Sequence, residues 1–312
     1  MKRIFSNMTF TISFIVISTI VVRFYFSDFA EALASEPDFF PPDEVLPIAS
    51  CQEWTENVRN FDVTDEEKAE QITVLMYHRI IDDEDIEEFH FDDNGNLFST
   101  ILVKSEFEKQ MDLLLEHDYT TLTSLELQLF LMGQLDVPKN SIVLTFDDGF
   151  KDNYNEAYPI LKEHGFTALN FMITSAISLN DRKYKANEFQ YLSVSDIESS
   201  CDVFEFQSHT YNFHQRTFNQ AAFMEFKPRE EILEDLEKSI TNLANQNRSF
   251  AYPYGAYKDE SIEILEEAGF EMAFTVEYRD AVPGDSLYEI PRKEVYSDTT
   301  LDVFKEKINL KD

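Results

Sequence analysis

The chain has 312 residues, 43% of them hydrophobic with 29 phenylalanines, which is ample for a core and excludes a disordered polymer. Its 26 basic and 60 acidic residues leave a formal charge of −34 spread along the chain, and such a surface repels phosphate backbones, which argues against a nucleic-acid partner. A solvated acidic surface is the plain reading of that charge; affinity for a polymer that carries amines is the sharper one.

Lys2 and Arg3 precede an uncharged run over 10–22, FTISFIVISTIVV, and Ala32, Leu33 and Ala34 offer a small-residue cleavage site. Residues 1–34 therefore read as an export signal, or as an uncleaved membrane anchor with Arg23, Phe24, Tyr25 and Phe26 at the interface. Either reading puts the body outside the cytoplasm, secreted or held on the outer face of the membrane. Residues 35–71 are rich in Pro, Asp and Glu and read as an exposed linker, with the folded domain over 72–312. Cys51 and Cys201 could pair in an oxidising compartment, although two cysteines so far apart carry no framework signature. IASC, ending at Cys51, stands too far from the apolar run to be a lipoprotein box.

Beyond 72, apolar runs alternate with helical patterns, without internal repeat. ITVLMYH (72–78), SIVLTFD (141–147), TALNFMI (167–173), VFEFQSH (203–209), SFAYPYG (249–255), EMAFTVE (271–277) and LYEIPRKEV (287–295) read as strands. Between them, SEFEKQMDLLLEHD, NEAYPILKEHG, REEILEDLEKSITNLANQ and DESIEILEEAGF carry apolar residues at helical spacing, with Gly165 and Gly269 where helix C-caps belong. This alternation predicts an α/β fold with a parallel sheet, at this length a barrel, whose active site gathers at the C-terminal strand ends.

The polar residues that need explaining fall at those ends: Asp147 and Asp148, His209, His78, and Tyr254 with Gly255. Asp148 with His209 and His214 would supply one carboxylate and two imidazoles, a set suited to Zn²⁺ or a similar divalent ion. A five-residue step turns about 500° around a helix, so the two histidines belong on an irregular turn rather than on one helix face. Two adjacent buried carboxylates would repel each other; a cation removes the difficulty, with one aspartate holding the ion while the other takes the proton of an attacking water. His117 and His164 lie near helix ends, and His90 lies near an ordinary DDNGN turn. Phe146, Phe150, Tyr154, Tyr211 and Phe213 divide between core and sugar-stacking roles.

TFDDG (145–149), the histidine pair of HTYNFH and YPYG (252–255), after a strand reading LMYHRI, together resemble a polysaccharide deacetylase of the NodB-homology, carbohydrate esterase type. The resemblance covers about 72–295 and implies a distorted (β/α)₇ barrel. It also implies Asp147 as general base, Asp148, His209 and His214 as metal ligands, and the Tyr254 amide in an oxyanion hole, with Gly255 allowing the turn. The ion implied is zinc, with Co²⁺, Ni²⁺ or Mn²⁺ as alternatives. Tyr252, Pro253, Gly255 and Tyr211 are the candidate substrate contacts.

Three departures stand out. The histidine spacing is five rather than four; Ala251 stands near the place of a base-orienting arginine, so that support is missing or comes from elsewhere; and no histidine follows His214 to act as a late general acid. Deacetylases of poly-β-1,6-N-acetylglucosamine, the intercellular-adhesin type, resemble it in the longer histidine spacing and in lacking the late acid, which they take from an early MYH strand, here His78. The implied activity is metal-dependent N-deacetylation of an extracellular N-acetylglucosamine polymer by a monomer. Peptidoglycan or chitooligosaccharides are the second substrate reading, and a non-catalytic glycan-binding module on the same scaffold is the alternative of another class. A metallopeptidase lacks support, since no HExxH helix is present.

Overall fold

The computed structural model describes residues 39–244 and 248–310. The export signal or anchor expected over 1–34 lies outside them; among the described residues no helix is long and apolar enough to cross a membrane. The strands run in chain order as β1 (Thr73–Tyr77), β2 (Arg79–Ile81), β3 (Ile101–Val103), β4 (Thr120–Thr121), β5 (Ser141–Asp148), β6 (Ala168–Met172), β7 (Phe204–Ser208), β8 (Ser249–Ala251), β9 (Met272–Phe274) and β10 (Lys293–Glu294). The helices are α1 (Lys104–Glu116), α2 (Ser124–Leu131), α3 (Tyr158–His164), α4 (Val194–Ser200), α5 (Phe223–Phe226), α6 (Arg229–Asn242), α7 (Asp259–Ala268) and α8 (Leu301–Lys307).

The main sheet is parallel throughout, in the order β10-β1-β5-β6-β7-β8-β9, with β4 beside the start of β5. Residues 287–295 close the ring. Ala273 donates to the Leu287 carbonyl, Ile290 to that of Ala273 and Thr275 to that of Ile290, which ties the first half of the segment to β9. The second half pairs Leu75 with Lys293 and Met76 with Glu294 on β1. Pro291 has no N–H to give a ladder, and the segment changes partner there, so the long strand expected over 287–295 is a short one preceded by an irregular seal. The result is a distorted (β/α)₇ barrel.

The period-two alternation of β5 sorts its side chains. Ile142, Leu144 and Phe146 join the layer under the helices with Phe107, Met111 and Leu161, while Val143 joins a lumen cluster with Val74, Leu169, Phe171 and Phe274. Thr145 and Asp147 continue the lumen face toward the C-terminal end. The register Tyr77↔Phe146, Asp148↔Met172, Met172↔Ser208 and Ser208↔Phe250 brings the ends of five strands to one level.

Residues 39–71 correct the expectation of an exposed linker. Most of their acidic residues do face water, but Phe40, Leu46 and Ile48 are buried in the core, and Gln52 donates its side-chain amide to the Phe204 carbonyl at 2.6 Å. A disulfide between Cys51 and Cys201 fastens this strap to the turn that leads into β7. A few apolar anchors set among prolines and carboxylates are enough to pin a strap whose composition looks like a linker.

Candidate active site

Asp147 ends the lumen face of β5 and is buried, 3% exposed. Arg292, fully buried, grips both of its oxygens, Nη1 to Oδ1 at 2.7 Å and Nη2 to Oδ2 at 2.9 Å. The same guanidinium donates to the Thr275 carbonyl at 2.9 Å and to the Thr145 hydroxyl at 3.2 Å, so its plane is fixed. Burial opposes the charge on Asp147, but Arg292, His209 and His78 outweigh it and hold the carboxyl down at about 2. An arginine beside this carboxylate, which the sequence does not offer before YPYG, is therefore supplied in space by the segment that seals the barrel.

Asp148 leaves the strand with φ 74°, a left-handed conformation that breaks the alternation and keeps its carboxylate at the lumen mouth. Its Oδ1 is buried and has no hydrogen-bond partner. Facing that oxygen stand His214 Nε2 at 3.2 Å and His209 Nε2 at 3.6 Å, and one donor atom from each of the three lies within 4.8 Å of the others. His209 Nδ1 lies 2.7 Å from the Ala251 carbonyl, which can only accept, so the proton sits on Nδ1 and Nε2 presents a lone pair. Burial pushes His209 down to about 3 and His214 to about 4, so neither contact is an ion pair at neutral pH. Burial, with the Asp147 charge adding to it against the opposing effect of His78, lifts Asp148 to about 6. A lone pair of a neutral imidazole set against an unpartnered carboxylate oxygen is unfavourable, and a cation between them removes the conflict. The N₂O donor set fits a divalent metal of the zinc kind.

The histidines ride on an irregular turn after β7. Thr210 adopts φ 78°, strained for a β-branched residue, and is held by the Thr174 amide donating to its carbonyl and by its own amide donating to the Ser208 hydroxyl. Asp235, from the buried face of α6, accepts the amides of Tyr211 and Asn212 at 2.8 Å each. This anchor was hidden in the acidic run EEILEDLEKS, where a carboxylate on the buried stripe was the available signal.

At the end of β8 the strand expected over 249–255 stops at Ala251, and Tyr254 takes φ 61°, ψ 11°. A Cβ on Gly255 would come within 2.3 Å of Val276, so the turn requires glycine there. The Tyr254 ring lies against that of His214, centroids 4.5 Å apart, and the Arg216 guanidinium sits 3.9 Å from the Tyr254 ring centre. None of the hydrogen bonds among the described residues uses the Tyr254 amide. His78 follows β1 directly, and the backbone leading out of it is pinned twice: Asn153 donates to its carbonyl at 2.7 Å, and the Ile80 amide donates to Asp152, which Arg79 also binds. Asn153 opens a π-helical turn that brings its side chain back under β1.

A cleft of about 350 Å³ joins these groups: His78, Asp147, Asp148, His209, His214 and Tyr254 line it together. Tyr252 and Gly255 also reach it, although the Tyr252 hydroxyl is spent on the Tyr288 carbonyl. Pro253 is buried and does not line the cleft, and Tyr211 lines the neighbouring groove that shares His214. Glu294 and Tyr296, not anticipated from the sequence, complete the wall on the β10 side.

Residues 134–273 match the family model described as polysaccharide deacetylase. A poly-β-1,6-N-acetyl-D-glucosamine N-deacetylase of Staphylococcus aureus is 27% identical over 233 residues, covering 72% of this chain and 79% of that protein. Among solved structures, IcaB from Ammonifex degensii superposes with a TM-score of 0.63 at 25% identity, covering 78% of this chain and 97% of that one. Deacetylase PplD of Streptococcus pyogenes, solved in complex with acetate, shares the fold with a TM-score of 0.62 at 23% identity, covering 76% of this chain and 98% of that one.

Proposed function

We propose, from the premise that this chain carries a polysaccharide deacetylase domain and is a hydrolase of that kind, that it is a metal-dependent N-deacetylase of extracellular poly-β-1,6-N-acetylglucosamine. The observation that carries the metal dependence is the buried, unpartnered Oδ1 of Asp148 facing the lone pair of His209. The polymer is suggested by the likeness to the Staphylococcus aureus enzyme, and an extracytoplasmic location by the Cys51–Cys201 disulfide together with the N-terminal apolar run.

Asp148, His209 and His214 would hold the ion, zinc being the best match to two imidazoles and one carboxylate. Bound there, a divalent cation would acidify water and polarise the acetyl carbonyl. Asp147, kept ionised and aligned by Arg292, takes the proton of the water that attacks the carbonyl carbon. A carboxylate held at about 2 is a weak base, so its value lies in position and constant charge. The Tyr254 amide meets the negative charge developing on the acetyl oxygen. His78 gives a proton to the sugar nitrogen as the amide C–N bond breaks, leaving acetate and a free amine.

The test is acetate release by the purified protein from a β-1,6-N-acetylglucosamine oligomer, with and without chelator, and with Asp147→Asn as control. Release that stops with chelator and returns with zinc supports the proposal. Release that survives chelation overturns the metal requirement, release only from chitin or peptidoglycan fragments overturns the polymer, and binding without release makes the domain a glycan-binding module.

A further inference from the structure

Residues 292–294, which lead into and form β10, alternate across the barrel wall. Arg292 points into the lumen against Asp147; Lys293 turns outward, its ammonium on the Lys307 carbonyl at 2.7 Å and Asp280 at 2.6 Å; Glu294 returns to the lumen side in register with Met76, and both line the cleft. Two residues of strand put Glu294 about 7 Å nearer the mouth than Arg292. The strand beside it is β1, which leads directly into His78.

The other carboxylates around this end have compensation. Asp147 has Arg292 and Asp152 has Arg79, while Asp148 faces the two histidines with which it would hold an ion. Tyr296 lines the cleft with Glu294, and no Lys, Arg or His pairs with Glu294 in the ion pairs of the described residues. An acidic side chain in a cleft with two further acidic side chains, and without a basic partner, suits a ligand that brings its own positive charge. Deacetylation produces such a ligand, since a primary amine released in the cleft is an ammonium at neutral pH.

We propose that Glu294 is a specificity-determining residue that binds the ammonium group of a glucosaminyl ring, so that the partly deacetylated polymer is preferred over the fully acetylated one. This rests on the deacetylase reading. The ammonium has two sources, the ring that has just reacted or a neighbouring ring deacetylated earlier.

The holoenzyme and its Glu294→Gln and Glu294→Asp variants are titrated calorimetrically with a β-1,6-glucosamine pentamer and with the β-1,6-glucose pentamer, neither of which has an acetyl group to lose. Glu294→Gln is expected to weaken the glucosamine oligomer about 5- to 10-fold more than the glucose oligomer, with the difference shrinking at high salt and restored by Glu294→Asp. An equal loss for both oligomers would make Glu294 a hydroxyl ligand and overturn the proposal. Kinetics separate the sources: a higher kcat/KM for an acetylated oligomer with one glucosamine beside the reacting ring, lost in Glu294→Gln, assigns the neighbouring ring, whereas relief of product inhibition alone assigns the reacting ring. If no polymer releases acetate, the deacetylase reading falls while the binding comparison still reads the subsite.

Discussion

Two carboxylates in the barrel lumen make opposite use of being shut off from water. Glu205, near the floor on β7, accepts from the Ser124 amide at 3.0 Å, from the Ser124 hydroxyl, and from the Gln207 side chain at 3.1 Å. Asp148, at the mouth on β5, leaves Oδ1 without a partner. Burial raises the pKa of both, but only Glu205 is surrounded by donors that belong to the fold. The backbone differs in the same sense: Asp148, Thr210 and Tyr254 all carry positive φ at the mouth, strain that packing elsewhere must offset. A satisfied buried carboxylate marks a joint of the scaffold; an unsatisfied one on a strained backbone marks a place that awaits a ligand.

The largest effect expected from that contrast is at Asp148. Asp148→Asn should abolish stoichiometric metal binding and lower acetate release by roughly 10³-fold or more, since metal assistance supplies several kcal/mol and each 1.36 kcal/mol is tenfold. Metal analysis and kinetics check this. In the metal-free protein the same substitution removes a conflict rather than a support, so its melting temperature should hold or rise. A clear drop would mean that Asp148 is a scaffold residue like Glu205, and the contrast would fail.

Arg292 stands between the two cases, because it is buried in the scaffold yet holds the proposed base. Arg292→Met leaves Asp147 buried and unpaired, and a loss of about 3–5 kcal/mol is expected on chemical denaturation. Asp147 is held at about 2 against an ordinary 3.8. A depressed carboxyl stabilises the native state above pH 4 and loses that contribution as pH falls through 2. The variant forfeits it, so its acid unfolding midpoint should move upward. Arg292→Lys keeps the charge without the two-pronged grip, and should restore stability more than it restores kcat. Equal recovery of both would show that Asp147 needs only a counter-charge, not an aligned one.

The residues that carry the proposed chemistry were legible because catalytic side chains sit at strand ends, where an apolar run stops on Asp, His or a glycine turn: Asp147, Asp148, His209 and Tyr254 all do. Arg292 was harder to see, since it lies inside LYEIPRKEV rather than at its end. The alternation of that segment nevertheless puts Ile290, Arg292 and Glu294 on one face, and an arginine facing a barrel lumen requires an anion inside. The strap over 39–71 misled because composition averages over it, whereas Leu46 and Ile48 act singly. The disulfide could not be read from two cysteines 150 residues apart, since their approach depends on how that strap lies on the barrel. Strand lengths at β8 and β10 were overestimated because Pro253 and Pro291 end or divert the ladder.

The smallest effect is expected at the floor, and it tests the scaffold half of the contrast. Glu205→Ala leaves the Ser124 amide and the Gln207 side chain short of an acceptor, which should cost about 1–3 kcal/mol and lower the melting temperature by several degrees. Adding Ser124→Ala removes a donor hydroxyl along with its acceptor, so the double variant should lose less than the sum of the two single ones. Acetate release below the melting transition should not change, because His209 takes its orientation from the Ala251 carbonyl rather than from Glu205. If kcat falls with stability in Glu205→Ala, then floor and mouth are coupled through the lumen face of β7, where Glu205, Gln207 and His209 follow one another at alternate positions.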